Sequence, residues 1–187
     1  MDNEVQTLEH ATAIARVRQW LQEVVIGHNF CPFAKREFDA GRVRYQVFDG
    51  RKSKRAIATV LDELRFLDEH EEIETTLLIF ADGWRDFYDY LALLDEAQQA
   101  LEDGGYEGVY QLASFHPDYV FADEAVDDAS NYSNRSPLPL LHLLRESSIA
   151  RAIVSDPNVE QIPERNKQLA RAKGAAFWQS LLAKIDS

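Results

Sequence analysis

The sequence predicts an α/β fold: a small, mainly parallel sheet of at least three strands, with helices packed around it. Three observations support this prediction. Short apolar or alternating runs recur along the chain, longer runs with helical periodicity separate them, and the junctions contain Gly, Asp or Ser. Because helices join consecutive strands, we expect parallel pairing through helical crossovers.

The predicted strands are residues 42–48, 75–80 and 109–115. The first alternates polar with apolar or aromatic residues. The second is continuously apolar, as in a strand covered on both faces. Ligands tend to bind beyond the carboxyl ends of the strands in such sheets, and those ends carry Asp49, Asp82 and His116.

Helical periodicity predicts the remaining elements. An apolar stripe over residues 11–26 ends at Gly27, and Pro32 suits the first turn of a short second helix with Cys31 at its N-cap. Further helices are expected from Ser53, after Gly83, from Ser136 to a break at Asp156 and Pro157, and from Pro163 onward as a carboxyl-terminal helical segment.

Length and composition indicate one globular domain over residues 1–187. A single cysteine excludes an intramolecular disulfide framework, and no apolar run approaches the ~20 residues that a membrane-spanning helix needs. The amino terminus lacks the basic and then apolar order of a secretory signal, so we expect a cytoplasmic protein.

The net charge of −12 opposes non-specific binding to nucleic acid and to anionic lipid. We therefore expect no nucleic-acid or membrane partner. The local exception is a basic cluster over residues 51–55, for which a solvated surface is the favoured interpretation. The sequence does not indicate an oligomeric state.

Residues 116–135 form an unusually long connection, which we predict to be a functional loop. Loops beyond ~12–15 residues without secondary structure of their own are uncommon and tend to be functional or disordered. The aromatic residues Tyr119, Phe121 and Tyr132 are expected to anchor it. Its acidic residues are expected to form a solvated, mobile middle.

Five phrases of the sequence carry a family resemblance: GHNFCPFA at 27–34, FHPDYVF at 115–121, NYSNRSPLP at 131–139, LHLLRE at 141–146 and IPERN at 162–166. Together, in this order, they resemble a bacterial domain-of-unknown-function family, number 1415. The resemblance implies a single-domain protein but brings no activity or catalytic residue with it, so function must be argued from the residues.

The leading hypothesis is an enzyme that acts on an anionic small molecule. His116 and His142 are the candidate acid–base residues, because the pKa of a histidine lies near neutrality, and Cys31 is a candidate nucleophile. The candidate substrate-binding residues are Asn134, Arg135, Ser136 and Arg145.

Each candidate also has a plain structural interpretation. For Cys31, we slightly favour a buried side chain that only fills space over a reactive thiol. His142, on its predicted helix, is expected to be a core histidine paired with Glu146. The arginines are expected to pair with loop carboxylates such as Asp118.

Two other hypotheses remain open. The first is a transition-metal site, for which the candidate ligands are His28, Cys31, His116 and His142. The second is a non-catalytic interaction module. The sequence contains no GxGxxG, GxxxxGK[ST] or GxSxG motif, so nucleotide binding through the usual loops is not expected, and the cofactor stays unknown.

Overall fold

A computed structural model gives the fold of residues 2–155 and 158–186, with the backbone alone described for 2–5 and 155. The strands are β1 (Val43–Phe48), β2 (Thr75–Phe80), β3 (Tyr110–Phe115) and β4 (Leu140–Arg145). The α-helices are α1 (Asp2–Trp20), α2 (Ala34–Asp39), α3 (Ser53–Glu69), α4 (Phe87–Asp103), α5 (Glu146–Ser155), α6 (Ile162–Lys173) and α7 (Ala175–Ile185). A π-helix (Leu21–Ile26) continues α1, and 3-10 turns occur at Ala129–Ser133 and Val159–Gln161.

The four strands form one mixed sheet in the order β1-β2-β4-β3. β1 and β2 are parallel, whereas β4 is antiparallel to both β2 and β3. The prediction of a mainly parallel sheet is therefore wrong, since two of the three pairings are antiparallel. β1, β2 and β3 nevertheless point the same way, so their carboxyl ends share one edge of the sheet.

The error arises at β4, where we predicted a helix. The run LLHLLR is apolar nearly all round, and a short run of that kind fits a buried strand as well as a buried helix. Here Pro139 precedes the run, and the strand is central, with neighbours on both sides. Leu140, Leu141 and Leu143 are all fully buried. Helix begins only at Glu146.

Two apolar cores hold helices against the two faces of the sheet. On one face, Leu77 and Ile79 pack with residues of α1, the π-helix, α6 and α7. On the other, Leu78 and Phe80 pack with residues of α3 and α4. Because alternate residues of β2 point to opposite faces and all six are buried, a continuous apolar strand results.

Several helix boundaries differ from those predicted. Phe33, and not Cys31, is the N-cap of α2. α3 begins at Ser53, as expected, with Lys52 as its N-cap. The carboxyl-terminal segment is two helices, separated at Gly174, whose φ of 82° suits glycine. The predicted helix break at residues 156–157 lies outside the described residues.

The loop between β3 and β4 is folded against α6. Glu124 accepts hydrogen bonds from Lys167 (3.0 Å) and Arg171, and Asp128 accepts one from Arg171 at 2.9 Å. The 3-10 turn within the loop contains four buried residues. The acidic middle is thus partly ion-paired and not simply solvated as we expected.

No helix in the described ranges is both long and apolar enough to cross a membrane.

Candidate functional site

His116 is fully buried at the carboxyl end of β3, and both of its ring nitrogens are bonded. Its Nε2 lies 3.0 Å from the carbonyl oxygen of Trp84, and its Nδ1 accepts a hydrogen bond from the backbone N–H of Asp118 at 2.9 Å. The ring is therefore neutral, with its proton on Nε2. Burial lowers the pKa of His116. The imidazole joins the long loop to the loop after β2.

His142 lies on β4 and is half-buried. Its ring centre is 6.4 Å from that of Phe115, and the ring nitrogens make no hydrogen bond to a described residue. Burial lowers the pKa of His142 to about 4, so the ring is neutral at pH 7. The predicted pairing with Glu146 does not occur, because His142 lies in a strand.

The two histidines occupy opposite faces of the sheet. His142 alternates with Leu141 and Leu143, which face α3 and α4, so it points to the other face. The ring of His116 instead contacts Tyr90 and Phe87 of α4, with centres 5.1 and 5.2 Å apart. They therefore share no pocket and cannot form the predicted acid–base pair.

The two candidate arginines donate to backbone oxygens. Arg135 donates to the carbonyl of Tyr119 (3.3 Å) and to that of Val126 (3.1 Å). Arg145 donates to the carbonyls of His70 (3.3 Å) and Ile73 (3.1 Å), and to that of Leu67 as well. Arg135 thus fastens the loop, while Arg145 satisfies carbonyls at and beyond the carboxyl end of α3.

Asn134 and Ser136 are also engaged internally. The Asn134 amide donates to the carbonyl of Ser114 at 3.2 Å, and the Ser136 hydroxyl donates to the carbonyl of Leu138 at 2.7 Å. Nearby, the Tyr90 hydroxyl donates to Leu140 and accepts from the N–H of Phe115, at 2.8 and 3.1 Å. These bonds fix the ends of β3 and β4. The side chains that make these bonds are thus used within the fold and are not available to bind a substrate.

Cys31 is half-buried in the turn before α2. The N–H groups of Phe33 and Ala34 and the charge of Arg165 favour its thiolate, but burial is the larger effect and raises the pKa of the Cys31 thiol. A raised pKa disfavours the thiolate that a nucleophilic cysteine needs.

The predicted metal ligands do not converge. Among the side chains that the structure describes, no group of three or more from His, Cys, Asp or Glu could hold a metal ion. His28 instead packs edge-on against Trp178, with ring centres 4.8 Å apart, and burial lowers the pKa of His28. The geometry thus gives no support to the metal hypothesis.

The GHNFCPFA and IPERN phrases meet in space. Arg165 donates to the carbonyl of Asn29, and the amide of Asn166 donates to that of Phe30 at 2.7 Å. Asn29 adopts a positive φ of 54°. The amino end of α6 therefore holds an irregular turn between the π-helix and α2.

A different group of side chains lies exposed at the carboxyl edge of the sheet. We call it the basic edge, and it comprises Arg51, Lys52, Lys54, Arg55 and Arg85, all exposed. Its two segments are adjacent, since a Cβ atom on Gly83 would lie only 2.7 Å from the carbonyl oxygen of Gly50. The Arg51 Nε also donates to the carbonyl of Asp82 at 3.0 Å.

None of the basic-edge residues forms an ion pair with a described residue. The side chains of Lys52, Lys54 and Arg85 make no hydrogen bond or ring contact within the described residues either. The guanidinium of Arg55 lies 6.0 Å from the ring centre of Phe48. Lys52 also gives α3 no side-chain cap, so unpaired backbone N–H groups add to the positive potential.

Next to the basic edge, Asp49 is bonded to two side chains of α1. His10 Nε2 is in very short contact with Asp49 Oδ2, and Gln6 Nε2 donates to the same oxygen at 2.8 Å. Among our predictions, Asp49 appeared only as a strand end, and His10 did not appear. No local pattern could have found this pair, because its members are 39 residues apart.

The fold and these contacts define the class of protein: an α/β protein with a four-stranded mixed sheet, helices on both faces and an internally bonded loop before its last strand. The chain belongs to the family described as a protein of unknown function (DUF1415), whose model matches residues 12–180. No curated protein and no solved structure matches it. The resemblance seen in the sequence is thereby confirmed.

Proposed function

We propose that this protein binds an anionic small molecule at the basic edge of its sheet. The observation that carries the proposal is the contrast in how cations are used. Cations elsewhere pair with carboxylates, as in Arg44 with Glu63 at 2.8 Å, or bind carbonyls or rings. The basic edge instead gathers five exposed cations without an ion pair to a described residue, on a chain of net charge −12. The side chains of three of them, Lys52, Lys54 and Arg85, also bond to no described carbonyl or ring.

The electrostatic repulsion within the basic edge supports the proposal. Like charges held close together repel, and a protein with 32 acidic residues has ample carboxylates to pair with them. An anionic ligand at the carboxyl ends of β1 and β2 removes this repulsion, in the region where α/β sheets usually bind ligands. Asp82 and Asp86 reduce the local charge without cancelling it. Asp86 is already occupied as the N-cap of α4.

This proposal keeps the anionic ligand of the leading sequence hypothesis and changes the residues. Arg135 and Arg145 are committed to backbone carbonyls, and His116 to the loops. The substrate clamps of the earlier hypothesis become Lys52, Lys54 and Arg85, together with Arg51 and Arg55.

The test is calorimetric titration of the full chain with inorganic pyrophosphate, used as a probe, at low ionic strength. We expect saturable binding that weakens as salt is added. The double substitution Lys52→Gln and Lys54→Gln is expected to weaken binding about tenfold or more, which corresponds to about 1.4 kcal/mol.

The matched control is the double substitution Lys35→Gln and Arg36→Gln. These two residues are equally exposed, carry the same charge and lie on α2, which precedes β1 at the opposite edge of the sheet. We expect the control to bind pyrophosphate like the wild type. An equal loss in both variants would mean that net charge alone attracts the anion, and the proposal would fail.

A non-catalytic interaction module is the second candidate. The observation that favours it is the internal bonding of the 115–146 segment, where His116, Arg135 and Arg145 stabilise the fold. Absence of saturable pyrophosphate binding would favour this candidate. Alanine substitution at His116 or Arg135 should then reduce stability without changing any ligand affinity.

A further inference from the structure

The basic edge adjoins a histidine–carboxylate pair in which one ring nitrogen bonds to no described residue. His10 and Gln6 lie one turn apart on α1, and both contact Oδ2 of Asp49. A carboxylate bonded to Nε2 holds the imidazole proton on that nitrogen, so Nδ1 keeps its lone pair. Carboxylate-oriented imidazoles of this kind serve as bases and nucleophiles in enzymes.

The pair is accessible to a small molecule. The side chains of His10 and Asp49 are 32% and 28% exposed, respectively. His116, by contrast, is fully buried, and His142 has apolar neighbours. His10 therefore combines an orienting carboxylate with contact to solvent.

The pair and the basic edge are contiguous. Asp49 is two residues from Arg51, so their Cα atoms are at most about 7.6 Å apart. An anion that contacts Arg51 therefore binds close to the carboxylate that holds the imidazole.

We propose that His10 is a nucleophile that accepts a phosphoryl group from a small phosphate donor bound at the basic edge. This inference rests on the proposed function. The Nδ1 lone pair forms a bond to phosphorus, the bond from phosphorus to the donor's leaving group breaks, and the leaving group departs with that electron pair. The positive charge that develops on the ring faces Asp49, and the cations neutralise the phosphoryl oxygens.

The class of substrate follows from the charges. A phosphoryl group carries up to two negative charges and three acceptor oxygens, which match several cations at once better than a single carboxylate does. The transfer needs no oxidant, reductant or metal beyond the donor itself. The plain alternative is that the pair only docks the amino-terminal half of α1 onto the sheet.

The test uses phosphoramidate, a small phosphoryl donor whose leaving group is ammonia. Intact mass and peptide mapping at neutral pH measure the rate at which each histidine becomes phosphorylated, with N-acetylhistidine in the same solution as a reference. We expect His10 to react about tenfold faster than that reference, which is a barrier difference of about 1.4 kcal/mol. The remaining four histidines should react more slowly than His10.

Asp49→Asn is the decisive variant. Its amide is the same size and can still hydrogen-bond to His10, so α1 stays docked, which circular dichroism and the melting temperature verify. The amide N–H donates to Nε2 and so places the ring proton on Nδ1. We expect phosphorylation of His10 to fall about tenfold or more, since changing the carboxylate of a catalytic histidine to an amide is known to have large effects.

The basic edge is tested in the same assay. Lys52→Gln with Lys54→Gln should slow phosphorylation of His10, whereas Lys35→Gln with Arg36→Gln should not.

An Asp49→Asn protein that reacts like the wild type, or a wild-type His10 no faster than N-acetylhistidine, would overturn the inference and leave a docking contact. If pyrophosphate binds while His10 stays unmodified, only this inference is lost. If pyrophosphate does not bind, the proposed function is lost as well.

Discussion

The 115–146 segment and the basic edge contain similar kinds of residue but use them differently. In the segment, His116, Arg135 and Arg145 bond to backbone atoms of their own chain. At the basic edge, the side chains of Lys52, Lys54 and Arg85 bond to no described residue. Residue type alone suggested that the 115–146 segment is the functional site, whereas the hydrogen-bonding pattern favours the basic edge. A polar side chain is available for chemistry only when the fold does not already use it.

The largest loss of stability is expected when Arg145, which bonds to backbone atoms of its own chain, is replaced. Arg145→Met keeps much of the side-chain volume but leaves three carbonyls near the end of α3 without their donor. We expect the free energy of unfolding, measured by urea denaturation, to fall by about 3–4 kcal/mol. Pyrophosphate affinity of the folded variant should be unchanged. A loss below about 0.5 kcal/mol, typical of a surface substitution, would contradict the structural role.

His116→Ala should give the next largest loss. It removes the bonds to the carbonyl of Trp84 and to the N–H of Asp118 in a fully buried site. We expect a loss of about 2–3 kcal/mol in urea denaturation. His10→Gln serves as the comparison, because its bond is at the surface, and should cost under about 1 kcal/mol. Equal losses at the two positions would erase the distinction between the regions.

His142 should make the protein sensitive to acid. Burial lowers the pKa of His142 from 6.5 to about 4, so between these values the unfolded chain binds a proton that the native protein does not. The contribution of neutral His142 to stability is therefore fully present above pH 6.5 and is lost as the pH falls toward 4. One pKa unit is worth about 1.4 kcal/mol, so the cost between pH 7 and pH 5 is about 2 kcal/mol.

The measurement compares urea denaturation of the wild type and His142→Leu at both pH values. Burial also lowers the pKa of His28 and of His116, so only the difference between the two proteins reports on position 142. We expect the variant to lose less stability on acidification. Parallel pH profiles would show that His142 is protonated equally easily in the native and unfolded states.

The smallest stability change is expected at the basic edge. Lys52→Gln with Lys54→Gln removes no bond to a described residue, so the free energy of unfolding should change by less than about 0.5 kcal/mol. Relief of repulsion among the cations can make the change slightly favourable. Thermal melting at low and high salt measures it. A substantial loss would show that these lysines support the fold and would place them with Arg145.

The sequence predicted the elements whose pattern is unambiguous. The alternation in β1 and the apolar run in β2 predicted both strands, and helical periodicity predicted α3 and α4 between them. It failed at LLHLLR, where helical and strand patterns coincide because nearly every position is apolar. That one error placed His142 and Arg145 on a helix when they lie in a strand, and it led to wrong expectations about which residues lie beside them.

The candidate site was predicted less well, for a different physical reason. The long loop was recognised by its length, but whether Arg135 and Asn134 were free depended on carbonyls that only folding brings to them. The basic cluster of 51–55 was visible in the sequence, whereas its neighbour Arg85 and the His10–Asp49 pair were not. The proximity of Arg85 to the cluster and the His10–Asp49 pair each depend on a contact between distant parts of the chain.

The position of β4 has a consequence for the order of folding. During synthesis β1, β2 and β3 leave the ribosome first, yet β2 and β3 have no direct bonds to each other and wait for the strand between them. The hydroxyl of Thr75, for example, bonds the carbonyl of Leu143, 68 residues later. A nascent chain that stops before residue 140 exposes two unpaired apolar strand edges, so truncated products should aggregate and require chaperones.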